Sequence, residues 1–172
     1  MKRFLAASIA FVTMPALAHL SDIKEASSTI EARYVEPSTR TVISPGLKIG
    51  HLFERNLKQP YIQQRLTDRA YYFQHMFYST TFYVGEKGVL RFDALEGRGE
   101  KLLAAILDVT SLPVTTLVYS HFHVDHIGDG KFWVDQARKA GVDLRIVATS
   151  ATADKRNSWQ ADCPKPLWCC PT

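Results

Sequence analysis

Four side chains of the kinds that bind metal ions stand close together in the sequence. They are His121, His123, Asp125 and His126, in the segment SHFHVDHIGDG. Imidazole nitrogens and carboxylate oxygens are the usual zinc ligands where cysteine is absent. A run of surface histidines, or of core histidines with local hydrogen bonds, is the alternative explanation. We favour a metal site, because three of the six histidines of the chain fall within residues 121–126.

The residues around this cluster predict how it is positioned. A buried-type strand, TTLVY at 115–119, comes directly before it. In extended chain His121 and His123 would point to the same side, and Phe122 and Val124 would point to the apolar interior. The glycines that follow permit a turn, which would bring the remaining two candidate ligands to the same cavity. Ligands bind at the carboxyl ends of strands in α/β sheets, so this position suits a site.

The elements around the cluster alternate between strand and helix patterns. This alternation predicts an α/β fold with a mixed β-sheet and flanking helices. The turn GEKG at 85–88 joins two of the strands into a hairpin. The predicted strands lie at 69–77, 80–84, 89–92, 115–119 and 144–148, and the predicted helices lie at 100–109 and 132–140.

The first 18 residues have the three regions of a secretory signal peptide. Met1-Lys2-Arg3 is cationic, residues 4–14 are apolar, and Pro15 precedes the cleavage pattern Ala-Leu-Ala. A buried N-terminal helix is the alternative. We predict cleavage after Ala18 and a periplasmic or secreted protein. No apolar run is long enough for a stable membrane span once the signal is removed.

Composition narrows the remaining classes of protein. Hydrophobic residues make up 46% of the chain and charged residues 22%, as in a packed protein rather than a disordered one. The formal net charge is +4, but Lys and Arg are scattered, so we expect no nucleic-acid partner. Residues 19–68 are polar at first and lack clear periodicity. They predict a loosely structured leader.

The segment TTLVYSHFHVDHIGDG resembles the zinc-binding signature of the metallo-β-lactamase-fold hydrolases. The hairpin, the strand VLRFDA and the helix before it come in the order expected in that family. The resemblance covers about 69–150. It implies that residues 69–155 form the N-terminal half of an αββα sandwich.

The resemblance also implies roles for single residues. His121 and His123 would bind one Zn²⁺, and Asp125 and His126 would bind a second. Asp125 would in addition orient the attacking water or pass a proton, which makes it the candidate catalytic residue. Asp93 would support the metal loop from behind the ligands; a simple turn residue at the end of a strand is its alternative. The implied activity is zinc-dependent hydrolysis of a small-molecule ester, lactone, lactam or thioester.

The sequence departs from the family pattern after Ser150. The second half of the family's domain supplies further histidine and aspartate ligands, whereas no histidine follows Ser150 here. Residues 156–172 form an atypical tail that holds Cys163, Cys169 and Cys170. We therefore expect a truncated relative of impaired activity. A genuine short exported protein with a cysteine-rich end is the alternative.

Two other functions remain open at this point. The chain could be a non-catalytic metal-binding or interaction fragment, or, on its cysteines alone, a small disulfide-linked module. A half sandwich would leave one apolar sheet face uncovered. We expect either poor solubility or self-association through that face.

Overall fold

The computed structural model describes residues 33–159 and 168–170. The strands are β1 (Arg33–Val35), β2 (Leu47–Ile49), β3 (Ile62–Arg65), β4 (Ala70–His75), β5 (Tyr78–Val84), β6 (Val89–Phe92), β7 (Val114–Val118), β8 (Arg145–Thr149) and β9 (Trp168–Cys170). The helices are α1 (Leu52–Lys58), α2 (Gly99–Leu107), α3 (Val124–Ile127), α4 (Gly130–Lys139) and α5 (Ser150–Trp159).

The main sheet has seven strands in the order of the chain, from β3 to β9. Neighbours from β3 to β6 run antiparallel, and neighbours from β6 to β9 run parallel. The change to parallel pairing follows from α2, α4 and α5, which connect the later strands. The expected mixed sheet with flanking helices is confirmed.

One face of this sheet carries the hydrophobic core. Phe73, Phe82 and Leu117 lie on it and are 0–1% exposed. Trp133 of α4 and Ile106 of α2 are buried in the same cluster. Every second side chain of the strands points to this face and packs against the apolar faces of the helices. The sequence predicts these segments because both patterns are visible in it.

The predicted hairpin and helices occupy their expected places. Val84 pairs with Val89 across the turn, where the Gly85 amide donates to the Gly88 carbonyl oxygen over 2.9 Å. α4 ends at Lys139, and Gly141, two residues later, has a φ of 70°. Glycine adopts that left-handed conformation at little cost, so it stops the helix there.

The sheet begins earlier than the predicted half domain. β3 lies within the stretch expected to be a loose leader, and Ile62 pairs with Gln74 of β4. The hydrophobic pattern does not predict this strand, because two of its buried residues, Gln63 and Gln64, are polar. Gln63 Nε2 donates a 2.9 Å bond to the Ala105 carbonyl oxygen, while its Oε1 is buried without a partner among the described residues. Gln64 bonds through both of its polar atoms: Oε1 accepts from the Ser38 amide, and Nε2 donates to the Thr41 carbonyl oxygen.

The end of the described chain also differs from expectation. α5 runs on to Trp159, and β9 at 168–170 adds a parallel strand beside β8. The end of α5 and the whole of β9 lie in residues 156–172, the stretch expected to form an atypical tail. The predicted signal peptide, the rest of residues 1–32 and Cys163 lie outside the described residues.

The second sheet face is more exposed than the first. Tyr83 pairs with Leu90, and Phe92 pairs with Val118, so these four side chains share it. Tyr83 is 44% exposed and Phe92 is 41% exposed. We call these four residues the open face.

No helix in residues 33–159 or 168–170 is both long enough and apolar enough to span a bilayer.

Candidate metal centre

The site lies where the parallel strands β6 and β7 end at the same edge of the sheet. The Asp93 amide, directly after β6, donates to the Val118 carbonyl oxygen over 2.8 Å. The Ala94 and Leu95 amides both donate to the His126 carbonyl oxygen, over 2.6 and 3.0 Å. The loop after β6 and the histidine loop after β7 are therefore held together through their backbones.

The carboxylate of Asp93 joins the same two loops through side chains. Its Oδ1 accepts a 2.7 Å bond from the Ser120 amide, and its Oδ2 accepts a 2.7 Å bond from the Ser120 hydroxyl. Oδ2 also lies 2.9 Å from Nδ1 of His126. The Asp93 side chain is only 8% exposed, so these bonds form with little competition from water. The predicted supporting role of Asp93 rests on these contacts.

These contacts fix which ring nitrogens carry protons. A carboxylate only accepts hydrogen bonds, so Nδ1 of His126 must donate to Asp93. The Ser120 hydroxyl gives its single proton to Asp93, so Nδ1 of His121, 2.9 Å from that oxygen, must donate to it. When the rings are neutral, Nε2 of each is then left with a lone pair. That nitrogen is the one that could bind a metal ion.

Three imidazole rings lie together at this edge. The ring centroid of His121 is 4.6 Å from that of His123 and 4.1 Å from that of His126. Oδ2 of Asp125 lies 3.7 Å from Nε2 of His126. Partial burial, with the neighbouring His126 and His123, holds the pKa of His121 below its usual value. A neutral imidazole is the form that binds metal ions.

The donor set matches zinc in its chemistry, with three imidazoles and one carboxylate. Within the described part of the chain, however, no group of three or more His, Cys, Asp or Glu side chains has the arrangement needed to hold a metal ion. The assignment of His121, His123, Asp125 and His126 as ligands therefore stays a prediction.

The side chains between the histidines do not follow the expected alternation. Val124 is 45% exposed rather than interior, and Phe122 is only half-buried, with its ring centroid 4.8 Å from that of His123. The reason is that β7 ends at Val118 and the helical turn α3 begins at Val124. Extended geometry does not continue through the cluster.

Two residues near the site were not singled out from the sequence. One is Ser120, whose hydroxyl links Asp93 to His121. The other is Asp129, whose Oδ2 accepts bonds from the amides of Arg98 (3.0 Å) and Gly99 (2.8 Å) at the start of α2. The only sequence signal for either was its place beside the histidine cluster.

The two other histidines of the described chain lie on other elements. His75 ends β4, half-buried, and its Nδ1 is buried without a hydrogen-bond partner among the described residues. Burial, with the nearby cations Lys101 and Arg98, lowers the pKa of His75. His51 precedes α1, and His19 lies outside the described residues.

Residues 76–152 match the family model of the metallo-beta-lactamase superfamily. The match includes the candidate ligands and Asp93.

Two solved structures resemble the chain at low sequence identity. A metallo-beta-lactamase from Pontibacter korlensis is 16% identical over 65% of this chain and 53% of its own, with a TM-score of 0.50. A metallo-beta-lactamase from Hirschia baltica is 13% identical over 65% of this chain and 52% of its own, with a TM-score of 0.49. The chain thus spans about half the length of these proteins. No curated protein matches the sequence.

Replacing Asp93 tests the link between the two loops. In Asp93→Asn an amide NH₂ takes the place of one carboxylate oxygen, leaving a buried donor without its acceptor. We expect the free energy of unfolding to fall by about 2 kcal/mol. Denaturant titration would measure this. Asp143→Asn, at an exposed aspartate, is the control and should change stability by less than about 0.5 kcal/mol. Equal stability of the two variants would contradict the account.

Proposed function

We propose that this chain is a zinc-dependent metallo-hydrolase. The observation that carries the proposal is the pair of bonds through which Asp93 and Ser120 orient His126 and His121. Both rings then have Nε2 available as a ligand atom, and the ring of His123 lies beside them. The match of residues 76–152 to the family model of the metallo-beta-lactamase superfamily supports hydrolysis as the reaction class.

The proposed roles follow the chemistry of each side chain. His121, His123, Asp125 and His126 would hold one or two zinc ions. Bound zinc supplies a water nucleophile at neutral pH and polarises the bond to be cleaved. The Asp125 carboxylate, within 3.7 Å of His126, would orient the attacking water and accept its proton. Asp93 holds His126 in place and does not touch the substrate.

We propose a small molecule with an ester, lactone, lactam or thioester bond as substrate. Zinc content by plasma mass spectrometry, with a panel of chromogenic compounds of these four types, tests the proposal. We expect at least one zinc ion per chain and turnover of one type, both lost in His123→Ala. His51→Asn is the control, since it replaces a histidine away from the cluster at a positive φ that Asn tolerates. It should keep both properties.

The outcomes of this experiment separate the candidate functions. Stoichiometric zinc without turnover would favour the alternative, a non-catalytic metal-binding or interaction fragment. Zinc that is equally abundant in wild type and His123→Ala would contradict the proposed ligands. Protein that never takes up zinc would overturn both functions.

We also propose that the protein is exported, on the order of cationic, apolar and small residues at its start. Expression of the full chain in a bacterial host, followed by fractionation and intact-mass measurement, tests this. We expect a periplasmic species that begins at His19. Ala18→Arg should block cleavage and leave the longer chain. A wild-type protein that keeps Met1 and stays in the cytoplasm would contradict the proposal.

Self-association through the open face is a further part of the proposal. Two large side chains on it, Tyr83 and Phe92, are more than two-fifths exposed. Analytical ultracentrifugation should show dimers or larger species in the wild type and monomers in a Tyr83→Ser, Phe92→Ser double variant. Leu107→Ser is the control, because that exposed leucine lies on α2 and not on the open face. A monomeric wild type would contradict this part.

A further inference from the structure

A fully buried arginine lies two residues before Asp93. Arg91 of β6 is 0% exposed and sits on the core face of the sheet, directly opposite Phe82 on β5 and Leu117 on β7. A guanidinium group in such surroundings is costly unless other groups compensate for its lost hydration. The groups around Arg91 therefore show what its charge does.

The direct contacts of Arg91 compensate for only part of this cost. Its guanidinium carbon lies 4.2 Å from the ring centroid of Trp133, a cation–π contact. Its Nη2 donates a 3.0 Å bond to the Phe92 carbonyl oxygen. Its buried Nε and Nη1 have no acceptor among the described residues. A residue selected for hydrogen bonding alone would not leave two donors unused.

The remaining compensation is electrostatic. Burial lowers the pKa of the Arg91 guanidinium to about 9, and the opposing effects are the attraction of Asp93 first, then of Tyr119 and Asp129. A guanidinium group is protonated at neutral pH, so the side chain is charged. Asp93 is itself buried, and the three hydrogen bonds that it accepts come from Ser120 and His126, which carry no formal charge when His126 is neutral. Arg91 and Asp93 are the charged residues in the buried set of the described chain.

We propose that Arg91 is a positioning residue for the histidine loop. Its buried charge attracts the Asp93 carboxylate and holds it where its oxygens reach Ser120 and His126. His126 is then fixed with its proton on Nδ1 and its Nε2 towards the site. Arg91 is fully buried, and its contacts in the described chain are with Trp133 and the Phe92 carbonyl oxygen, so it acts through Asp93. Only the consequence of this role, a better ordered metal site, rests on the proposed function.

The competing explanation is that Arg91 only fills space beneath the site. Variants that differ in charge at position 91 distinguish this explanation from a positioning role. Arg91→Met keeps most of the volume and removes the charge. Arg91→Gln removes the charge but keeps a donor for the Phe92 carbonyl oxygen. Arg91→Lys keeps the charge and loses the planar contact with Trp133. Trp133→Phe weakens the cation–π contact and leaves the Arg91 charge in place.

The test is ¹⁵N NMR of the histidine side chains in the metal-free full chain at pH 8, where the two ring tautomers give different nitrogen shifts. We expect the Nδ1–H form of His126 in the wild type, in Arg91→Lys and in Trp133→Phe. The neutral variants should show a mixture of both tautomers. Zinc titration is the second readout, and we expect about 10-fold weaker binding in the neutral variants.

The results bear on this inference separately from the proposed function. A wild-type tautomer in a folded neutral variant would overturn the role of Arg91, even if that variant were less stable. Loss of the Nδ1–H form in Arg91→Lys would overturn it as well. If neither neutral variant folds while Arg91→Lys keeps the wild-type signals, the need for charge at this position is supported. Failure of every form to bind zinc would contradict the proposed function, but the tautomer comparison would still decide this inference.

Discussion

The carboxylate of Asp93 is the group on which the candidate site depends. It follows β6, whereas its partners Ser120 and His126 follow β7, so its hydrogen bonds cross between two strands. Both carboxylate oxygens accept from these partners, and this determines the proton positions on two histidine rings. Without it, the histidine loop would be joined to the loop after β6 mainly by backbone bonds.

The fold supplies this arrangement through parallel pairing. β6 and β7 run in the same direction, so Asp93 and the histidine loop emerge at one edge. Asp129 and the Arg98–Gly99 amides add a second connection, which ties the start of α2 to the end of the same loop. The buried charge of Arg91 lies beneath this edge, on the core face. The proposed role of Arg91 would couple the site to the core, so that a change of charge in the core would alter the geometry of the histidines.

Much of this structure follows from simple patterns in the sequence. Apolar residues alternate along the strands of the hairpin and recur at helical spacing in α2 and α4, so the sequence predicts these elements. It also predicts the parallel strands. β3 was missed because Gln63 and Gln64 occupy buried positions, where hydrogen bonds replace apolar packing. The exposure of Val124 was missed because the sequence does not show where β7 stops and α3 begins. Ser120 escaped notice because its role depends on Asp93, 27 residues away.

Anomalous diffraction from crystals grown with zinc, measured on both sides of the zinc absorption edge, tests the central claim most directly. The account predicts a zinc peak bound by Nε2 of His121, by Nε2 of His126 or by both, with His123 or Asp125 as a further ligand. Asp93 should still be hydrogen-bonded to Nδ1 of His126. A zinc peak held by other residues, or ordered crystals with no zinc at this edge of the sheet, would contradict it.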